Sequence, residues 1–152
     1  MHLSMSPMSQ ARFDLMLAIS IPIVVTDLRF RRIPNWACGV LFLAGVVASG
    51  FEQGLSGILW SLGGAWAGLL AFLIFYALGG MGGGDIKLMA ACGSLIGLRG
   101  LPVAIVLSAG IGGIIAVAAL LFARLRSKSA ETIPYAPAIV AGSLLALLGT
   151  AG

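Results

Sequence analysis

Six apolar stretches joined by short polar links confine this chain to one folding environment. They run over residues 11–28, 34–51, 57–78, 86–98, 101–123 and 136–150. Crossing ~30 Å of hydrocarbon takes about 20 residues of helix at ~1.5 Å each, so the pattern predicts an all-α integral membrane protein with about six transmembrane helices. The stretch 86–98 is the shortest of the six. Only 9% of the 152 residues are charged, against roughly 25% in soluble domains, too few to cover a water-facing surface. The first ten residues, with Ser4, Ser6, Pro7 and Ser9, are expected to form a flexible tail, and residues 11–152 a single membrane domain. Arg12 precedes the first stretch, but Asp14 and Asp27 bracket it and no small-residue cleavage site follows, so it is expected to be a retained helix and not a signal peptide.

The 22 glycines fall largely inside the apolar runs, where small residues let helix backbones approach closely in lipid. Gly64 and Gly68, like Gly93 and Gly97, have the GxxxG spacing. Packing within the chain is the expected use, with a homodimer as the alternative. Cys38 and Cys92 stand in apolar stretches without a CxxC pair and are expected to be small buried side chains. Neither a metal site nor a cofactor site is marked in the sequence. The net charge of +4 comes with no basic face or stripe, which argues against nucleic acid as a partner.

The placement of the basic residues sets an orientation. Arg29, Arg31 and Arg32 fall between the first two stretches, Lys87 between the third and fourth, and Arg124, Arg126 and Lys128 between the fifth and sixth. The alternate links receive only Arg12 and Arg99, with Glu52 beside them. By the positive-inside rule the odd-numbered links are cytoplasmic and both termini lie outside. The three arginines after Asp27 also suit contact with anionic lipid.

Two aspartates then stand out. Only twelve uncharged residues separate Asp14 from Asp27, so a helix crossing the bilayer here must include one of those carboxylates. The fourth stretch is equally short, which puts Asp85 or Lys87 at its cytoplasmic edge. An ionisable group at such depth costs a few kcal/mol, roughly, on insertion scales. The predicted orientation ends the first helix at Asp27 and starts the fourth at Asp85, bringing two carboxylates 58 residues apart in sequence to one membrane face. Two carboxylates close together in a poorly solvated place cannot both ionise easily, and they share a proton. Such a pair can take a proton from water and give one to a peptide carbonyl.

The flanking residues suit that chemistry. The glycine run 79–84, interrupted by Met81, leads into Asp85 and leaves bare backbone, tolerable at membrane depth only where it lines a cavity or is buried in protein. Pro34 restricts Ile33 to an extended conformation and starts the second helix at Asn35. Each feature has a plainer reading. Asp27 beside three arginines suits an interfacial ion pair, Asp85 suits a helix N-terminus through the helix dipole, and glycine runs commonly serve packing.

Three segments together resemble the type IV prepilin peptidases, members of the GxGD group of membrane aspartic peptidases. They are Asp27 followed by Ile33-Pro34-Asn35, Gly82-Gly83-Gly84-Asp85-Ile86-Lys87-Leu88, and the segment Ile133 to Gly142, in which Ala136 stands where the family usually has Gly. The resemblance implies Asp27 and Asp85 as the acid–base dyad, Gly82 and Gly84 as shapers of the loop presenting Asp85, and Pro34 and Asn35 as positioning residues for the second helix. Lys87 is left two roles, tuning the local field or anchoring the helix at the headgroups. The implied reaction is removal of a basic leader from prepilins or pseudopilins at the cytoplasmic face of the bacterial inner membrane. Longer members carry a cytoplasmic insertion with paired CxxC motifs. The first link here has none, which resembles the compact form associated with Flp-type (tight adherence) pili and implies peptidase activity without N-methylation. Two other readings use the same aspartates. One is a presenilin-like GxGD intramembrane protease, although Thr26 stands where those enzymes have Tyr. The other is a small transporter or channel subunit with the carboxylates as ion ligands.

Overall fold

The computed structural model describes residues 7–79, 81–125 and 134–150. Arg126, Lys128 and Ile133, used above, lie outside the described residues. The chain forms four helical elements, α1 (Pro7–Phe30), α2 (Asn35–Ala77), α3 (Gly83–Leu125) and α4 (Ala136–Thr150), and no β-strand occurs among the described residues. α1 opens at Pro7, whose fixed φ suits a first helical turn, so residues 7–10 of the expected tail are helical.

At 43 residues each, α2 and α3 would be about 65 Å long if straight, twice the hydrocarbon thickness. Both instead break at a glycine with positive φ, Gly54 (φ 60°) and Gly97 (φ 71°), a conformation that L side chains adopt only at a cost. The chain doubles back at each. A Cβ on Gly57 would strike the carbonyl of Ser49, a group about 12 Å away along an unbroken helix. A Cβ on Gly68 would lie 3.0 Å from the Met89 carbonyl oxygen and 3.4 Å from Leu101 Cδ1, residues about 18 Å apart on an unbroken helix. The four elements therefore contain six helical segments, with breaks close to the ends of the second and fourth apolar stretches. By length and composition α2 and α3 are long and apolar enough to cross a membrane.

Small residues set how the segments meet. Gly64 and Gly93 face each other so closely that a Cβ on either would run into the other's carbonyl, and a Cβ on Gly64 would also lie 3.0 Å from Gly97 Cα. Both GxxxG motifs thus pack within the chain. Hydroxyls tie the same seams. Ser61 Oγ donates to the Ser94 carbonyl at 2.8 Å, Ser94 Oγ to the carbonyls of Ala91 (2.8 Å) and Phe42 (3.2 Å), and Ser108 Oγ to that of Ile139 at 3.4 Å. Cys38 and Cys92 are buried and unbridged. The burial pattern inverts the usual soluble arrangement. Among the described residues six serines are buried, while Leu43, Trp66, Val106 and Ile114 are more than 60% exposed. An apolar exterior over a hydroxyl-stitched interior suits lipid as the surrounding solvent.

The contacts also fix direction. Asn35 meets Lys87 and Gly45 meets Ser94, so the first half of α2 runs parallel to the first half of α3. α1 runs against them, since Arg12 reaches Ser49, Glu52 and Leu95. One end of the bundle therefore gathers the end of α1 and the starts of α2, α3 and α4. The other gathers Arg12, Glu52 and Arg99.

Candidate active site

Asp27 lies one turn before the end of α1, and the link that follows is tightly specified. The backbone N–H of Arg31 closes the helix on the Asp27 carbonyl at 2.8 Å, with Arg31 itself at φ 52°, a left-handed position that favours glycine or asparagine. Pro34 (φ −70°, ψ 123°) precedes the first residue of α2, and its carbonyl accepts from Ala37 N–H at 3.1 Å. The Asp27 side chain is 6% exposed. Its Oδ2 accepts a hydrogen bond from the backbone N–H of Ala136 at 3.1 Å. Ala136 opens α4, and the first N–H groups of a helix have no partner within it. Asp27 thus fills a vacancy at a helix N-terminus, where the dipole favours a carboxylate, and ties α1 to α4 across 109 residues of sequence.

Asp85 sits three residues into the N-terminus of α3, counting from Gly82. Its Oδ2 accepts from Gly82 N–H at 3.0 Å, while its own N–H donates to the Gly82 carbonyl at 3.1 Å. An acid at the third helical position reaching back to the residue before the helix is one half of a capping box. Asp85 is 7% exposed. Gly84 lets the two links approach. A Cβ there would sit 3.2 Å from Ile33 Cβ, tighter than ordinary packing. Lys87 Nζ donates to Asn35 Oδ1 at 3.1 Å, joining the starts of α2 and α3.

Asp27 and Asp85 line one cavity of roughly 340 Å3. Gly82, Gly84, Asn35 and Lys87 line it too, with Arg31 and Arg32, so three cations surround two carboxylates. Pro34 is not among its lining residues; its place is the turn behind. Each aspartate uses Oδ2 to hold backbone, and among the described residues neither Oδ1 has a donor. Among the described residues no three His, Cys, Asp or Glu side chains gather as a metal site. Tyr135 also lines this cavity, and the Ala136 N–H reaches Asp27 from the start of α4. Proline at 134 marks a helix start in the sequence, but nothing local to it points to Asp27.

The arrangement defines a class: a helical protein with an apolar exterior that keeps two nearly buried carboxylates in a shared cavity at one end. The chain belongs to the type IV leader peptidase family, whose sequence profile matches residues 15–117. It is 39% identical over 134 residues to the prepilin leader peptidase/N-methyltransferase of Bacillus subtilis (strain 168), covering 87% of this chain and 53% of that protein. Proteins of the same name from Aeromonas salmonicida (strain A449) and Aeromonas hydrophila are 34% and 33% identical over 91 residues, or 60% of this chain, and 28% and 29% of their own lengths. The chain spans about half the length of the first of these relatives and less of the others. No solved structure gives a significant match.

Proposed function

We propose that this chain is a membrane-embedded aspartic endopeptidase that removes the basic leader from prepilins or pseudopilins. The observation that carries the reading is the cavity lined by both Asp27 and Asp85. In the proposed reaction the ionised carboxylate takes a proton from water as the water oxygen attacks the scissile carbonyl. The protonated carboxylate gives its proton to the carbonyl oxygen. Breakdown returns that proton, the C–N bond breaks, and the leaving amine takes up the proton drawn from water, so the pair ends as it began. Each carboxylate has Oδ1 for this exchange while Oδ2 holds its position. Family membership and the relatives' names support the substrate class.

The proposed setting is the bacterial inner membrane, with six crossings, both termini outward and the dyad at the cytoplasmic face. Arg31, Arg32 and Lys87 line the dyad cavity, whereas Arg12 and Arg99 stand at the far end, the asymmetry expected for that orientation. The bare backbone at Gly83 and Gly84, whose N–H groups open α3, offers an extended peptide main-chain partners. The link between α1 and α2 holds no CxxC, and the proposal is leader removal without methyl transfer, of the compact kind associated with Flp-type pili. Co-expression with a Flp-like prepilin tests it. Gel shift should show leader loss, and the mass of the mature pilin should lack the added methyl. An intact leader across several prepilins, with the protein inserted normally, would reject the reading.

A further inference from the structure

At the end of the bundle away from the dyad, a polar cavity and an apolar groove adjoin and share one arginine. The cavity, roughly 100 Å3, is bounded by Arg12, Ser49, Gln53, Trp60 and Arg99. The groove, roughly 510 Å3, lies between α1 and the first half of α2, with Arg12 and Glu52 at its head and Leu15, Val40, Leu43 and Val47 along its walls. From Glu52 to Val40 it follows about 18 Å of helix.

The two guanidinium groups are held in different ways. Arg12 is fixed on four sides: Nε and Nη2 donate to the two Glu52 carboxylate oxygens at 2.8 and 2.7 Å, Nη2 also to Ser49 Oγ at 3.1 Å, and Nη1 to the Leu95 carbonyl at 2.9 Å. That accounts for four of its five N–H groups, and its side chain is only 14% exposed. Arg99 lies over the Trp60 ring, 5.7 Å from the centroid, and among the described residues it pairs with no carboxylate. Arg99 lines the small polar cavity, and a guanidinium positioned by an aromatic face carries a planar donor fork that matches the geometry of a phosphate. The acids at this end leave it available, since Glu52 is engaged by Arg12 and Asp14 lines neither cavity.

We propose that this composite site binds a glycerophospholipid of the leaflet away from the dyad, its phosphodiester on Arg99 and one acyl chain in the groove between α1 and α2, past the Arg12–Glu52 pair that joins the two cavities. Charge complementarity selects the phosphate, and the continuous apolar groove selects a lipid over a free anion. The site is independent of the catalytic reading, requiring only that the chain sits in a bilayer.

Native mass spectrometry of the full chain in detergent, titrated with phosphatidylglycerol, diacylglycerol or inorganic phosphate, tests it. Phosphatidylglycerol should give a saturable single adduct, and diacylglycerol should bind at least tenfold more weakly. Arg99→Gln should weaken the phosphatidylglycerol adduct about tenfold, with Arg99→Lys retaining most of it. Ala44→Phe, which fills the groove, should weaken the lipid adduct while the wild-type protein shows no stable phosphate adduct. A thermal melt with and without lipid reports folding of each variant and should show stabilisation in the wild type that Arg99→Gln loses. Equal binding of diacylglycerol, or an adduct unchanged by Arg99→Gln, would overturn the phosphate site. Inorganic phosphate binding as well as the lipid, or an adduct indifferent to Ala44→Phe, would overturn the acyl groove.

Discussion

The two ends of this bundle treat charge in opposite ways. At the far end Arg12 and Glu52 neutralise each other through two hydrogen bonds, and the pair clamps α1 to α2. At the dyad end Asp27 and Asp85, though nearly buried, take no side-chain cation within salt-bridge distance among the described residues. They are held by single backbone N–H groups at the starts of α4 and α3. A charge that serves structure is matched by an opposite charge. A carboxylate fixed through one oxygen by backbone keeps its second oxygen available, a state that costs stability.

That contrast can be broken from either side. The largest effect is expected from Asp27→Asn or Asp85→Asn, each lowering leader cleavage by about 10²–10⁴-fold. The amide oxygen of Asn can still accept the Ala136 or Gly82 N–H, so insertion and helix content by circular dichroism should persist. Loss of folding in these variants would make the aspartates structural, like Glu52. Next, Gly93→Leu should abolish the close approach to Gly64 and lower thermal stability by more than the 1–3 kcal/mol, roughly, of ordinary overpacking, because the obstacle is backbone. Gly54→Ala should cost about 1–3 kcal/mol through its backbone conformation alone (φ 60°, ψ −138°), since nothing lies within 4 Å of the added methyl. Glu52→Gln comes last, at about 1 kcal/mol for a partly exposed pair, with the cleavage rate in detergent unchanged. A large catalytic loss there would show that the far end is not merely a clamp.

Much of this was legible in the sequence, for identifiable reasons. Counting uncharged residues between Asp14 and Asp27 forces a carboxylate toward a helix end, and the bias of the basic residues puts Asp27 and Asp85 together. The structure places both in one cavity. The breaks near residues 54 and 97 were visible as gaps between apolar runs, and at each a single glycine with positive φ interrupts the helix. The Ala136 N–H on Asp27 was not legible, because a backbone donor has no residue-type signature and its partner is 109 positions away. Arg12 and Glu52 each read as a loop charge, and only the antiparallel packing of α1 on α2 makes them a pair. Tyr135 was hidden likewise, since its wall position depends on how α4 docks.

In the proposed reaction Asp27 and Asp85 act as one acid–base unit. Single-turnover cleavage of a purified prepilin by wild type, Asp27→Asn, Asp85→Asn and the double variant tests it most directly. Each single variant should be as slow as the double, because half of a proton-sharing pair cannot complete the cycle. A single variant retaining more than about a tenth of the wild-type rate, well above the loss expected for a missing general acid or base, would contradict it.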